Sequence, residues 1–339
     1  MGFEVTEVDV RDEAVLRAWW EVGYAASAGR PYDPWPAWAV SRVALPTHNP
    51  EHEMTLTAVL DDVDLTGTVA MVGTGMYLEP VNDNPHLVMA DVFVHPDHRR
   101  QGIGTALLGD AERRTRAAGR STVLGEAMAA PGAESPGTLF GRARGYEVAS
   151  TETTKVVELD TAESTWQDLG REVAEHIGDY RVVSWVSECP AELLDGYCRL
   201  LTTFLDEIPL RDLDLESSKW TPVRVRAGEE RLRTIGREIH VAAVVAPDGT
   251  MVGLSDVRLN LADPRLAEVG VTLVHEAHRG HRLGLALKLA THGALRAAHP
   301  ETGLVVTSNA DENGPMNVEN ARLGYRAAER LVELQKRLA

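Results

Sequence analysis

Two cysteines in 339 residues, Cys189 and Cys198, are too few for a disulfide framework or a thiolate metal cluster. They fit a reducing compartment, where a buried thiol behaves as a small hydrophobe. No apolar run approaches the roughly 18 residues needed for a membrane span. The opening MGFEVTEVDV lacks the charged-then-apolar order of a secretory signal. No membrane partner is expected, and the expected location is the cytoplasm. Basic residues are also in deficit, 34 against 51 acidic ones, for a formal net charge of -17. Such a surface repels phosphate backbones, so nucleic acid is not an expected partner. It favours a cationic amine, or it serves solubility alone.

What is present is an ordinary globular composition, 44% hydrophobic and 25% charged. The length allows two domains of roughly 100–200 residues, each able to bury a core. The chain also repeats itself. Residues 94–107 read VHPDHRRQGIGTAL and residues 274–287 read VHEAHRGHRLGLAL. At a constant offset of 180, Val94, His95, His98, Arg99, Gly104, Ala106 and Leu107 recur as Val274, His275, His278, Arg279, Gly284, Ala286 and Leu287. Downstream, Arg144-Gly145-Tyr146 answers Leu323-Gly324-Tyr325. Upstream, residues 64–69 (DLTGTV) resemble residues 248–253 (DGTMVG), each a candidate hairpin turn. The period is far too long for a solenoid and marks a duplicated domain. Residues 155–159 read as the last strand of the first copy, which divides the chain into domains 1–159 and 160–339.

Each copy reads strand, glycine-containing turn, helix, strand. In the first, residues 3–8, 54–60, 66–73 and 87–94 read as strands and 11–26 as a helix. Residues 105–118 have helical periodicity and stop at Gly119, and a strand begins at 121. In the second, strands at 269–274 and 304–308 flank a helix at 285–298. Such units build an α/β fold of two tandem domains, each a mixed, partly parallel central sheet flanked by helices.

The segment Arg99-Arg100-Gln101-Gly102-Ile103-Gly104 sits where a strand enters a helix. The first helical amides have no internal partner and carry the positive end of the dipole. Glycine lets a phosphate approach the backbone, so the amides form an anion cradle. Arginine adds charge and bidentate donors. A single such turn with solvated arginines is unremarkable, but its recurrence between strand and helix points to function.

This segment resembles the acyl-CoA pyrophosphate loop of the GNAT acetyltransferase superfamily, Q/R-x-x-G-x-G/A. The second copy resembles the C-terminal halves of tandem actinobacterial GNAT proteins, with HRGHRLG followed by an Asn-rich segment. The resemblance implies acetyl-CoA as cofactor. It implies that Val92 and Val94, with Leu273 and Val274, line the pantetheine arm on the motif strands. Arg99, Arg100, Gln101, Gly102, Ile103, Gly104 and Thr105 would hold the pyrophosphate. So would Arg279, Gly280, His281, Arg282, Leu283, Gly284 and Leu285. Asn309, Asn313 and Met316 fall where the family lines the cofactor's sulfur and arm.

The copies depart from the pattern in opposite ways. The first loop matches it fully. In the second, Arg282 occupies the first glycine position, where its side chain either obstructs a phosphate or pairs with it. Asn309, Asn313 and Asn320 can donate to a thioester carbonyl or oxyanion, or cap a helix. The matching stretch of the first copy, residues 129–137, has few donors. Many relatives have a tyrosine four residues before the last motif glycine, to protonate the leaving thiolate; this chain has Gly141 and Asn320 there.

Acetylating an amine needs positioning and a base for the ammonium proton. Asp91 and Glu126 are candidate bases in the first copy and Glu268 in the second, with Asn309 and Asn320 as polar partners. The paired His-x-x-His spacings, His95/His98 and His275/His278, read as loop-packing residues, and no metal site is expected. The acidic stretch 206–216 attracts a cationic acceptor or is a solvated loop. The expectation is an N-acetyltransferase moving an acetyl group from acetyl-CoA to a small-molecule amine, as a monomer or homodimer. The Asn-rich segment points to the second copy for chemistry, leaving the first a stabilising or second-cofactor role. The alternatives are a weakly catalytic or non-catalytic acyl-CoA-binding module and a protein N-acetyltransferase.

Overall fold

The computed structural model describes residues 3–30, 32, 35–61, 70–207 and 210–339. The turn expected at 64–69 lies outside them, as does the start of the strand expected at 66–73. No described helix is long and apolar enough to cross a membrane. Both cysteines are free and buried.

The chain forms two compact units that interleave along the sequence. The first holds residues 1–150, Asp212–Asp214 and Val332–Ala339; the second holds Thr151–Arg211 and Leu215–Leu331. This differs from a single cut after residue 159. The first unit runs β1 (Val5–Glu7), α1 (Glu13–Ser27), α2 (Trp38–Ala44), β2 (His52–Leu60), β3 (Met71–Pro80), β4 (Leu87–Val94), α3 (Ile103–Ala117), β5 (Thr122–Ala129) and α4 (Pro136–Arg142). Strand β6 (Glu147–Glu158) follows, and its residues from 151 belong to the second unit. There the chain continues with α5 (Leu159–His176), β7 (Arg181–Val186), α6 (Leu194–Glu207), α7 (Pro222–Thr234), β8 (Arg237–Val245), β9 (Met251–Asn260), β10 (Asp263–Val274), α8 (Leu283–Ala298), β11 (Leu304–Ala310), α9 (Gly314–Arg322) and β12 (Arg326–Arg337).

In the first unit the strand order is β1-β2-β3-β4-β5, followed by the end of β12. Helix α1 starts where the Asp12 carboxylate accepts the Ala14 and Val15 amides, a side-chain cap for two orphan donors. Its buried stripe of Leu16, Trp19 and Trp20 packs on Leu56 and Ala58 of β2. On the opposite face, Val59, Val72, Ile103 and Leu107 form a cluster under α3. Strand β4 is parallel to β5 and antiparallel to β3, giving the mixed sheet expected.

The second unit orders its strands β6-β11-β10-β9-β8-β7. Residues 152–158 of β6 pair antiparallel with β11. Helices α5 and α8 cover one face and α6 the other. Strand β10 carries an irregularity that β4 lacks: Val269 pairs with Val257, but Thr272 already pairs with Ser255. The extra residue flips the alternation. Ala267 and Val269 face α5 and α8, whereas Val271 and Leu273 face α6.

The acidic segment Asp212–Asp214 is part of the first unit. The Asp214 carboxylate accepts hydrogen bonds from Thr122 at 2.9 Å and Arg337 at 3.2 Å, and Gln335 accepts the Asp214 amide at 2.7 Å. These contacts use the carboxylate structurally. The chain's last residues likewise complete the first unit's core, where Val332 and Leu334 join Tyr77, Val88, Val123 and Tyr146. Replacing Leu334 by Ala is expected to cost about 2–5 kcal/mol of that unit's unfolding free energy. Urea unfolding followed by tryptophan fluorescence checks this, and a loss below about 1 kcal/mol would contradict it.

Candidate active site

The motif loops fold alike in both units. His95 Nδ1 accepts the Asp97 amide at 3.4 Å, and His275 Nδ1 accepts the Ala277 amide at 3.3 Å. Arg99 Nε donates to the Val94 carbonyl at 3.3 Å, and Arg279 Nε donates to the Val274 carbonyl at 3.1 Å. These histidines and arginines hold the turn to the strand that precedes it. Two left-handed residues follow in each loop: Arg100 (φ 67) and Gly102 (φ 98), then Gly280 (φ 92) and Arg282 (φ 57). The backbone needs the left-handed conformation at two positions, and glycine covers a different one in each copy. An arginine there costs about 1–2 kcal/mol. Arg282 therefore replaces the expected glycine without changing the loop's path. Helices α3 and α8 begin immediately afterwards, and neither start is capped by its N-cap side chain.

What surrounds the two helix starts differs in charge. In the first unit, a Cβ on Gly104 would stand 3.5 Å from both Phe140 and Val94, an apolar wall. Arg144 donates to Thr105 Oγ1 at 2.8 Å and lies over the Phe140 ring. Arg99, Arg100 and Arg144 are all exposed here. In the second unit, Glu319 Oε2 would be 2.5 Å from a Cβ on Gly284. Glu172 holds Arg282 Nε at 2.8 Å and also pairs with Arg322. Glu319 thus lies beside Gly284, and Glu172 is held between Arg282 and Arg322.

The motif strands also differ. The β4–β5 ladder pairs Leu87–Met89 with residues 122–124, and the β10–β11 ladder pairs residues 266–268 with 304–306. Beyond those pairs lie β4 residues 90–94 and β10 residues 269–274. In β10 the Val271 amide already donates to Asp256 Oδ2 at 3.1 Å, and Arg258 holds the same carboxylate at 2.8 Å.

The sequence pattern of the acetyltransferase (GNAT) family matches residues 14–133. The chain is similar along 99% of its length to a tandem GNAT protein from the clavulanic acid biosynthesis pathway. That match covers 98% of the other chain at 25% identity, with a TM-score of 0.78. Residues 14–133 thus carry the GNAT acetyltransferase pattern, and the whole chain resembles a tandem GNAT protein. A GCN5-related N-acetyltransferase from Sphaerobacter thermophilus shares the fold at 14% identity, TM-score 0.66, over 99% of this chain and 95% of that one. So does N-myristoyltransferase of Saccharomyces cerevisiae with bound myristoyl-CoA, at 12% identity, TM-score 0.59, over 99% and 79%. A search of curated protein sequences finds no match.

Against this GNAT frame the candidate residues separate. Val92 and Val94 pack against Ile103 and Leu107 on the α3 face of β4. Asp91 points the other way, opposite Met76 and on the face of Phe93, whose ring meets Trp35 edge-on at 4.9 Å. Among the described residues Asp91 has no hydrogen-bond or ion-pair partner. Burial pushes its carboxyl up to about 6. Glu126 is exposed on β5. Glu268 lies within the paired part of β10, with its carboxylate on Arg237 at 2.9 Å.

Asn309 and Asn320 do come together, since Asn320 Nδ2 donates to Asn309 Oδ1 at 3.0 Å. Their acceptor oxygens are claimed by lysines that the sequence did not single out. Lys155 Nζ donates to Asn309 Oδ1 at 2.8 Å and the buried Lys288 Nζ to Asn320 Oδ1 at 2.5 Å. Burial pulls the Lys288 ammonium down to about 8. Asn309 Nδ2 is also used, by Asn317 Oδ1 at 2.7 Å. Asn313 caps α9 by accepting the Met316 amide at 3.3 Å. The signal for Lys288 was its position on the buried stripe of α8, beside Leu285, Thr291 and His292.

The Asp91 shift has a definite sign. Its folded value near 6 exceeds the unfolded 3.8, so the carboxylate is a liability that is fully present above pH 6 and absent below 3.8. Asp91→Asn is expected to raise the unfolding free energy at pH 8 by on the order of 2 kcal/mol and to leave it unchanged near pH 3. Equal effects at both pH values in denaturant titrations would contradict the assignment.

Proposed function

We propose that this GNAT protein transfers an acetyl group from acetyl-CoA to the amine of a small molecule, and that the first unit carries the chemistry. The observation that supports this reading is the charge at the two helix starts. The first unit offers uncapped amides among Arg99, Arg100 and Arg144, whereas the second presents Glu319 and Glu172 at the equivalent place. A pyrophosphate suits the former, whereas in the latter Arg282 is already engaged by Glu172 and Glu319 stands beside Gly284. This departs from the expectation that the Asn-rich second copy acts. Its asparagines are bound into a network with Lys155 and Lys288.

The residues divide the work as follows. The amides from Gly102 to Thr105 and the three arginines hold the pyrophosphate, while Val92 and Val94 flank the pantetheine arm. Acetyl-CoA, when bound, supplies the activated acyl carbon. Asp91 accepts the proton of the incoming ammonium, directly or through water. Its raised pKa brings it close to the working pH, as a base requires. Trp35 and Phe93 keep its surroundings apolar. Gly141 stands where many relatives have an acidic tyrosine, and Leu334 packs against it. The leaving thiolate is accordingly protonated from solvent.

Two measurements test this reading. In calorimetric titrations, Gly104→Glu is expected to abolish acetyl-CoA binding and Gly284→Glu to preserve it, with folding checked by circular dichroism. The reverse pattern would move the chemistry to the second unit. No binding by the wild type would overturn the acyltransferase reading altogether. With an accepted amine in hand, log kcat/KM is expected to fall below pH about 6. Asp91→Asn should lower the plateau by about 100-fold and remove that limb. An unchanged limb would exclude Asp91 as the base.

A further inference from the structure

Away from the motif loops, the second unit gathers two histidines and two glutamates. Glu238 and His240 are two residues apart on β8 and share a face, while His299 follows the last turn of α8. One oxygen, Glu238 Oε1, lies 2.8 Å from His240 Nε2 and 2.6 Å from His299 Nε2. One potential ligand atom from each of these three side chains lies within 4.8 Å of the others. The second ring nitrogen of His299, Nδ1, faces Glu301 Oε1 at 3.4 Å.

Both ring nitrogens of His299 thus face a carboxylate, and Glu238 Oε1 is shared by two imidazoles. One carboxylate oxygen drawn to two imidazole nitrogens gathers three metal-ligand atoms at one point, which shared protons or a metal ion can bridge. The other ring nitrogen of His240, Nδ1, is buried without a hydrogen-bond partner among the described residues.

We propose that Glu238, His240 and His299 form a divalent-metal site of the zinc class, with Glu301 as the outer carboxylate that orients His299. Two imidazoles and one carboxylate are a familiar zinc donor set, with water filling the remaining position. Calcium and magnesium favour all-oxygen sets and fit it poorly. The outer carboxylate on a ligating histidine is the usual means of fixing its tautomer. Side-chain exposures of 24% at Glu238, 15% at His299 and 2% at His240 leave the site open on one side and anchored on the other. A metal here would clamp the C-terminal end of α8 to β8. The ligands Glu238 and His299 are 61 residues apart, and the set carries no spacing motif that a sequence scan would detect.

The test uses the full-length chain, freed of any histidine tag and treated with EDTA, titrated calorimetrically with ZnCl2. One ion per chain is expected, with a Kd at or below about 10 µM, together with a rise in melting temperature that grows with zinc concentration. His299→Ala should weaken binding by about 100-fold and Glu301→Gln by about 10-fold. Both residues lie outside the core, so both variants should fold. Co2+ in place of Zn2+ should give visible absorption bands that His299→Ala removes. No zinc binding at about 100 µM would overturn the proposal and leave the cluster held by a shared proton. Zinc binding that survives His299→Ala unchanged would equally overturn it, by placing the ion elsewhere.

Discussion

The first amides of an α-helix point out of the helix with no partner, and something negative must answer them. This chain faces that requirement twice, at α3 and α8, behind loops of the same backbone shape. In the second unit Glu319 lies beside Gly284 and Glu172 pairs with the Arg282 side chain. In the first, the nearby side chains are Phe140, Val94, Thr105 and exposed arginines. That site is open to an anion, as the proposed function requires. The same duplicated fold therefore surrounds its two helix starts with different side chains, which is why the proposed cofactor site is assigned to the first unit.

The differences extend from the loops into the sheet. Strand β4 runs in unbroken register along β3, which puts Asp91 on the face of Trp35 and Phe93 and its valines on the face of α3. Strand β10 carries an extra residue at Gly270, where the buried Asp256 takes the Val271 amide. Towards α9, the second unit replaces the apolar contacts of Phe140 and Leu334 with a network of Lys288, Asn320, Asn309 and Lys155. Such a network is costly to bury unless each member is paired. Here the pairings are made, so the groups are engaged with one another.

Much of this was legible in the sequence. The repeat at an offset of 180 announced the duplicated fold, and the strand–turn–helix order placed β4, α3, β10 and α8 within a few residues, apart from the earlier start of β10 at Asp263. Those signals are local, because periodicity and capping act over one or two turns. The interleaving of the units was not legible. Residues 151–158 and 332–339 are strand-like wherever they pair, and alternation does not name a partner. Nor could the sequence show that Asn309 and Asn320 were already engaged, since Lys155 and Lys288 lie 154 and 32 residues away from them. From the sequence, the Arg282 side chain either obstructs a phosphate or pairs with it. Its effect was readable only once the left-handed position at Arg100 showed that the two loops exchange glycine and arginine.

The most direct test of the account is amide hydrogen exchange with and without saturating acetyl-CoA, read at the two helix starts. The account predicts slowed exchange in peptides covering Arg99 to Leu107 and no change in those covering Arg279 to Leu287. Protection confined to the second segment, or shared equally between both, would contradict the claim that the first unit alone holds the cofactor.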